Sequence, residues 1–356
     1  MDELNLGDPF LRSHDYRSYP LSKENFHTIT KGDSDRILSF IDGGNQELVG
    51  APNFSIQLNR TYFNIFEKRR IIQPHNLSNR VEFLSLTLAE FKGETILYHT
   101  SLFPMSGVSP SNLPEDADLS FDSSDRRLMI GNSRADIGRV ASIARRFAEW
   151  RFAQRIVENE LEEGDILVMD GSLRTAFPNE PSYAKAAYEA AYGKKVIFSG
   201  LSKTSRLFTT TGLSLLGAVR KLAQDNAIND AWYYHPVAES ISPERGGVIF
   251  LLKLSDMSQR IFRYEINSQQ AKVASSVELN EILSALSQNS NDLTFPGYPY
   301  GLVDADDNAR VRNEELETYR VMLLSEISKL GAAGKLQRHM ESIDAHSVMN
   351  LLREAA

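Results

Sequence analysis

Two short apolar runs in this chain end in an aspartate followed by glycine: Ile37-Leu-Ser-Phe-Ile-Asp-Gly-Gly44 and Ile166-Leu-Val-Met-Asp-Gly-Ser-Leu173. Apolar runs of this length, bounded by such a break, read as buried strands. Each strand would deliver a carboxylate, Asp42 or Asp170, to its carboxyl end, where open sheets with helical crossovers gather ligands. Two further acids stand in settings that draw notice. Glu149 lies in an apolar helical stretch between Ala148 and Trp150, where an unpaired carboxylate is costly. Asp306 lies near the start of a late helix. Magnesium and manganese prefer carboxylate and water oxygens. Two such ions held by shared carboxylates can activate a water and stabilise the leaving oxygen in phosphodiester cleavage. The set Asp42, Glu149, Asp170 and Asp306 therefore predicts a metal site whose chemistry needs no side-chain nucleophile. Each acid also has a plain structural reading. Asp before Gly commonly marks a turn, Glu149 has Arg145 four residues earlier as a partner, and Asp304, Asp307 and Asn308 beside Asp306 suit a helix start.

The elements that must position these acids are legible along the chain. Residues 1–33 are polar, broken by Pro9 and Pro20, and read as a loosely packed arm. Strands are expected at Ile37–Asp42, Phe54–Phe66, Val81–Leu86 and Thr95–His99, as a meander. Residues 104–135 are rich in Pro, Ser, Asp and Gly and read as a long loop insertion. A helix from Ile137 to about Glu163 carries apolar residues around much of its circumference and should be largely buried. It feeds the strand ending at Asp170. Helices near Pro181–Tyr192, Leu213–Gln224 and Val277–Ser287 follow, with a strand at Lys195–Ser199 and a hairpin of Val248–Lys253 with Arg260–Ile266. The loop Phe295-Pro-Gly-Tyr-Pro-Tyr-Gly301 opens a helix expected to run to about Leu330, and residues 331–356 add a last one. The fold class is α/β, with residues 34–330 as one domain.

Composition bounds the rest. The 356 residues allow a large core. The absence of cysteine excludes disulfides, thiolate zinc sites and cysteine nucleophiles. The seven scattered histidines form no metal cluster. No signal-peptide pattern opens the chain and no apolar run reaches the length of a membrane span, so a soluble, cytoplasmic protein is expected. A net charge of −8 does not exclude a local nucleic-acid groove, because phosphate binding depends on clustering. Arg139, Arg145, Arg146, Arg151 and Arg155 supply such a cluster on one helix, either as a DNA-facing rim or as a solvated face. Ser202-Lys-Thr204 is not a phosphate loop, since the residue before Lys203 is not glycine.

Several ordered motifs resemble one family. They are Phe40-Ile-Asp-Gly-Gly44, Arg146-Phe-Ala-Glu-Trp-Arg-Phe152 leading to Val168-Met-Asp-Gly-Ser-Leu173, Gly200-Leu-Ser-Lys-Thr204, Arg263-Tyr-Glu-Ile266, Gly297-Tyr-Pro-Tyr-Gly-Leu-Val-Asp-Ala-Asp306 and Asp344-Ala-His346. Together they resemble the NurA nucleases, a branch of the ribonuclease H-like fold. The resemblance implies a mixed β-sheet flanked by helices, with a helical C-terminal extension. It implies Asp42, Glu149 and Asp170 as ligands of manganese or magnesium, Tyr298 as an active-site tyrosine and Lys203 beside the site. The next metal position, often histidine in the family, is Asp306 here, with Asp304 as its rival; residues two apart on a helix diverge by about 200°, so one of them faces the site. The resemblance further implies 5′ to 3′ exonuclease activity on single- and double-stranded DNA, single-strand endonuclease activity, a homodimer, and docking on a hexameric HerA-type ATPase translocase. A DNA-binding scaffold subunit with a vestigial site is the alternative.

Overall fold

The computed structural model describes residues 5–11, 15–30, 32, 34–293 and 295–331. In chain order, the elements that bear on the site are β1 (Ile37–Ala51), β2 (Phe54–Glu67), β3 (Arg80–Lys92), β4 (Thr95–Pro104), α1 (Ile143–Glu160), β5 (Ile166–Asp170), α2 (Glu180–Lys194), β6 (Ile197–Ser202), β7 (Trp232–Ser240), β8 (Gly247–Lys253), β9 (Phe262–Asn267), α3 (Ser276–Asn289), α4 (Tyr300–Ala309) and α5 (Asn313–Lys329). The chain divides into two compact units. The first comprises residues 1–42, 62–79 and 149–308, the second residues 43–61, 80–148 and the chain from Ala309 onward.

In the first unit the strands run in the order β7-β8-β9-β6-β5-β1-β2. β5 is parallel to both neighbours, with Met169 opposite Ile41 and Asp170 opposite Leu201. β6, β9, β8 and β7 pair antiparallel in turn, so the sheet is mixed, as expected. Parallel strands covered on both faces read as unbroken apolar runs, and Ile166, Leu167, Val168 and Met169 are all buried.

Helices α1 and α2 lock together over β6 through one aromatic group. The Trp150 ring stacks on Phe198 at 5.9 Å and meets Tyr188 edge-on at 5.6 Å. Its Nε1 donates to Glu180 Oε1 at 2.9 Å, while Glu180 Oε2 accepts from the backbone N–H of Ala176 (2.6 Å) and Phe177 (3.0 Å). Glu180 is buried, and a buried carboxylate persists only when its oxygens are hydrogen-bonded. Glu180→Ala strands the buried Trp150 Nε1–H and releases two part-exposed backbone donors, and is expected to cost about 1–3 kcal/mol of stability, read from urea unfolding. An unchanged midpoint would show that the donors find water instead.

Helix α4 is pinned to the sheet at its second residue. The Gly301 N–H donates to Asn289 Oδ1 at 2.9 Å, and its carbonyl accepts from Asn64 Nδ2 at 2.8 Å. A Cβ at Gly301 would fall on the buried ring of Phe40, so the close approach requires glycine.

In the second unit, residues of β2 are followed in the sheet by β3, β4 and a short strand at Ser120–Asp122. The strand at Ser120–Asp122 lies inside residues 104–135, together with 3₁₀ turns at Pro110–Asn112 and Asp116–Leu119. That stretch is therefore partly built, with Leu113, Leu119, Phe121 and Leu128 buried.

Four local expectations are corrected. Within the described residues of the polar arm, Tyr16–Ser18 and Phe26–Thr28 pair with β7 and Pro9–Phe10 pairs with Phe208–Thr209, so these segments are not loose. The first strand does not stop at Asp42 but continues to Ala51. β7 was not anticipated; Pro236 interrupts its aromatic run, and its register shifts between Tyr234 and Ala238. The late helix is two helices, α4 and α5, with a break at residues 310–312. Arg60 Nη1 donates to the Arg310 carbonyl and Gln46 Nε2 to the Val311 carbonyl, each at 2.8 Å, which takes acceptors a continuous helix would use. The expected helix at residues 331–356 and the Asp344-Ala-His346 motif lie outside the described residues.

Candidate metal centre

Asp42 and Asp170 reach the same place because their strands are adjacent and parallel. The pairing of β1 with β5 ends at Ile41 opposite Met169, so the next residue of each strand lies at the carboxyl end of the parallel pair, where ligands collect in such sheets. Asp42 stands two residues after Phe40 and so shares its face of the strand. That is the face against which Gly301 brings α4. α4 then carries Asp306 to the other two. One carboxylate oxygen from each of Asp42, Asp170 and Asp306 lies within 4.8 Å of the others.

The two rival acids of α4, Asp304 and Asp306, point to different partners. Asp304 Oδ2 accepts from Asn64 Nδ2 at 2.8 Å and from the Tyr62 hydroxyl at 3.4 Å, which turns it toward β2. Asp306, on another side of the helix, joins the cluster. Glu149 lies outside this three-oxygen set. It is buried, and its charge is one cause of the raised Asp42 pKa, which places it as a neighbour of the trio.

The electrostatics follow from crowding. Burial, then the charges of Asp170 and Glu149, then a hydrogen bond with Asp170 push the Asp42 carboxyl up to about 9, against the opposing pull of Lys203. The site thus favours the protonated form of the Asp42 carboxyl, as expected when like charges share a desolvated site. Lys203 stands one residue past the end of β6. Its Nζ donates to Asp306 Oδ1 at 2.7 Å and Asp170 Oδ2 at 2.8 Å, and lies 3.9 Å from Asp42 Oδ2. Burial alone would lower the lysine pKa; Asp170, Asp306 and Asp42 outweigh it and raise it.

Tyr298 completes the group. Gly297, at φ +86°, approaches Ser258 too closely for a side chain, and the tyrosine ring sits between Phe262 (5.1 Å) and Phe295 (5.6 Å). Its buried hydroxyl makes no hydrogen bond of regular geometry, yet it lies near enough to feel the acids. Burial first, then Asp170, Asp42 and Asp306, push its pKa far up. A phenol held neutral in this way can donate a hydrogen bond but cannot serve as a base.

The donor set fits a hard divalent cation. Three carboxylate oxygens converge, among the described residues no sulfur or imidazole joins them, and the cluster already holds a cationic group, the Lys203 ammonium. Of the arginines expected on one helix, Arg155 pairs with Glu158 at 2.7 Å, Arg151 donates to Gln154 at 3.0 Å and Arg145 donates to the Gly43 carbonyl at 3.1 Å, while Arg139 lies on a separate short helix, Ile137–Ala141. Sequence reasoning missed Asn64 and Asn289, the side chains that hold α4. Neither has a sequence signal, because Asn64 acts through a contact 237 residues away and Asn289 through one across the intervening loop, 12 residues away.

The NurA domain model matches residues 36–311. No curated protein matches the sequence. Among solved structures, the catalytic domain of human endonuclease V aligns at 11% identity over 83% of this chain and 85% of that one, with a TM-score of 0.34. An Argonaute from A. aeolicus aligns at 8% identity over 77% of this chain and 28% of that one, with a TM-score of 0.31.

Proposed function

Because this chain belongs to the NurA family, we propose that it is a divalent-metal-dependent deoxyribonuclease. In this reading it is a 5′ to 3′ exonuclease on single- and double-stranded DNA that also cuts single strands internally. It would work as a homodimer with a HerA-type ATPase translocase in DNA end processing. The observation that carries the catalytic part is the convergence of Asp42, Asp170 and Asp306 within 4.8 Å around a cationic group. Partner, dimer and polarity come from the family resemblance alone.

Asp42, Asp170 and Asp306 would hold the cation, manganese or magnesium, with Glu149 adding negative charge behind Asp42. The bound cation would activate a water for attack on the phosphodiester and stabilise the leaving oxygen. Tyr298 would donate a hydrogen bond from its neutral hydroxyl to a phosphate oxygen, which orients the scissile group. Lys203 would supply positive charge to the phosphate, where it offsets the charge that develops on transfer.

The test uses DNA labelled at either the 5′ or the 3′ end, single- and double-stranded, with manganese or magnesium and with or without chelator. The expected result is metal-dependent release of labelled mononucleotide from the 5′ end, abolished by chelator. DNA binding without products in any divalent metal would favour the scaffold alternative. Release from the 3′ end would overturn the polarity. Light scattering of the purified protein tests the dimer, and co-elution with a HerA-type ATPase tests the partner.

A further inference from the structure

We propose that Lys203 is a built-in counter-ion that occupies the same place as the divalent cation, so that loading the cation and freeing the Lys203 ammonium are one event. This rests on the metal-centre reading above and adds a property to it. The Lys203 Nζ lies 2.7 Å from Asp306 Oδ1 and 2.8 Å from Asp170 Oδ2, and these two residues belong to the cluster that would ligate the metal. A magnesium ion takes such oxygens at about 2.1 Å. An ammonium bridging the same two carboxylates and a metal bound between them would bring two cationic centres into one small space, where their repulsion is severe. One displaces the other.

Two features make the exchange feasible. The Lys203 side chain is 38% exposed, so it has a solvent-side path out of the cluster. It also lies just beyond β6, which ends at Ser202, so its swing leaves the sheet ladder intact. The lysine also lessens the charge crowding in the site. Asp42, Glu149, Asp170 and Asp306 crowd together, and the ammonium offsets part of their repulsion until a stronger cation arrives. Once released, the same ammonium is available for a DNA phosphate, so metal loading readies the protein for substrate.

When the binding-competent state is a minor one, apparent affinity falls by the fraction of that state. Removing the resident ammonium should therefore tighten metal binding. Manganese titration calorimetry on the full chain compares wild type, Lys203→Met and Lys203→Arg, each checked for folding by circular dichroism. Lys203→Met is expected to bind manganese about tenfold tighter or more, with Lys203→Arg close to wild type. Measurable wild-type binding with equal or weaker binding by Lys203→Met overturns the inference and leaves the metal centre standing. No manganese binding by any of the proteins overturns both.

A second readout follows the lysine itself. The side-chain ammonium resonance of Lys203, identified as the signal missing from Lys203→Arg, is expected to be protected from water exchange and lost as magnesium saturates the protein. Its persistence at saturation also overturns the inference. This measurement decides the matter alone if Lys203→Met fails to fold.

Discussion

Asp42→Asn is expected to reduce metal-dependent DNA cleavage by about 10³-fold or more while leaving the fold at least as stable as wild type. The activity loss follows from the position of Asp42 in the three-carboxylate cluster. Removing a single group aimed at developing charge commonly costs about 10²–10³, and Asp42 would in addition hold the cation. The stability side is a matter of linkage. The carboxyl titrates at its ordinary value of 3.8 in the unfolded chain and at about 9 in the folded one. Between these values the folded state binds more protons than the unfolded state, so wild-type stability declines as pH rises through that window. Asparagine resembles the protonated acid and has no such slope. In chelator, the stability of Asp42→Asn relative to wild type should therefore increase from pH 5 to pH 8. Thermal melts at the two pH values check the sign. A variant that loses stability relative to wild type as pH rises would mean that Asp42 is ionised in the fold, and full cleavage by the pure variant would remove Asp42 from the metal centre.

Gly301→Ala is expected to abolish cleavage as well, by a different route, and to destabilise the protein. A Cβ at this position meets the ring of Phe40, which is fully buried and cannot yield. Overpacking of this kind costs about 1–3 kcal/mol, and here the relief would be a shift of α4 off the sheet. The shift would break the Asn64 and Asn289 hydrogen bonds to Gly301 and carry Asp306 away from Asp42 and Asp170. The variant should thus show a lower urea midpoint together with weakened manganese binding. Alanine tolerated with wild-type midpoint and metal affinity would mean that Phe40 or α4 moves without disturbing the cluster. Asp304→Asn separates the helix from its acids: it keeps an oxygen that can accept from Asn64 and should leave cleavage within a few fold, whereas Asp306→Asn should not.

Apolar patterning alone determined the buried strand segments that lead into Asp42 and Asp170, because burial on both faces leaves a local signature in Ile37–Ile41 and Ile166–Met169. The apolar neighbours of Glu149 likewise signal a buried carboxylate, and Glu149 is buried. The tertiary structure decided the rest. That Asp306 and not Asp304 joins the cluster depends on Asn64, which is 240 residues away from Asp304 in the chain. That the late helix breaks at residues 310–312 depends on Arg60 and Gln46, which take its carbonyls. That β1 runs on past Asp42 depends on the sheet still supplying partners, so an Asp-Gly pair that reads locally as a turn lies within a strand. Lys203 is the clearest case. In the sequence it is a lysine after a strand; in space its ammonium lies among three carboxylates drawn from β1, β5 and α4. Local apolar periodicity is set by neighbours along the chain, whereas the orientation of a polar side chain is set by partners the chain brings from far away.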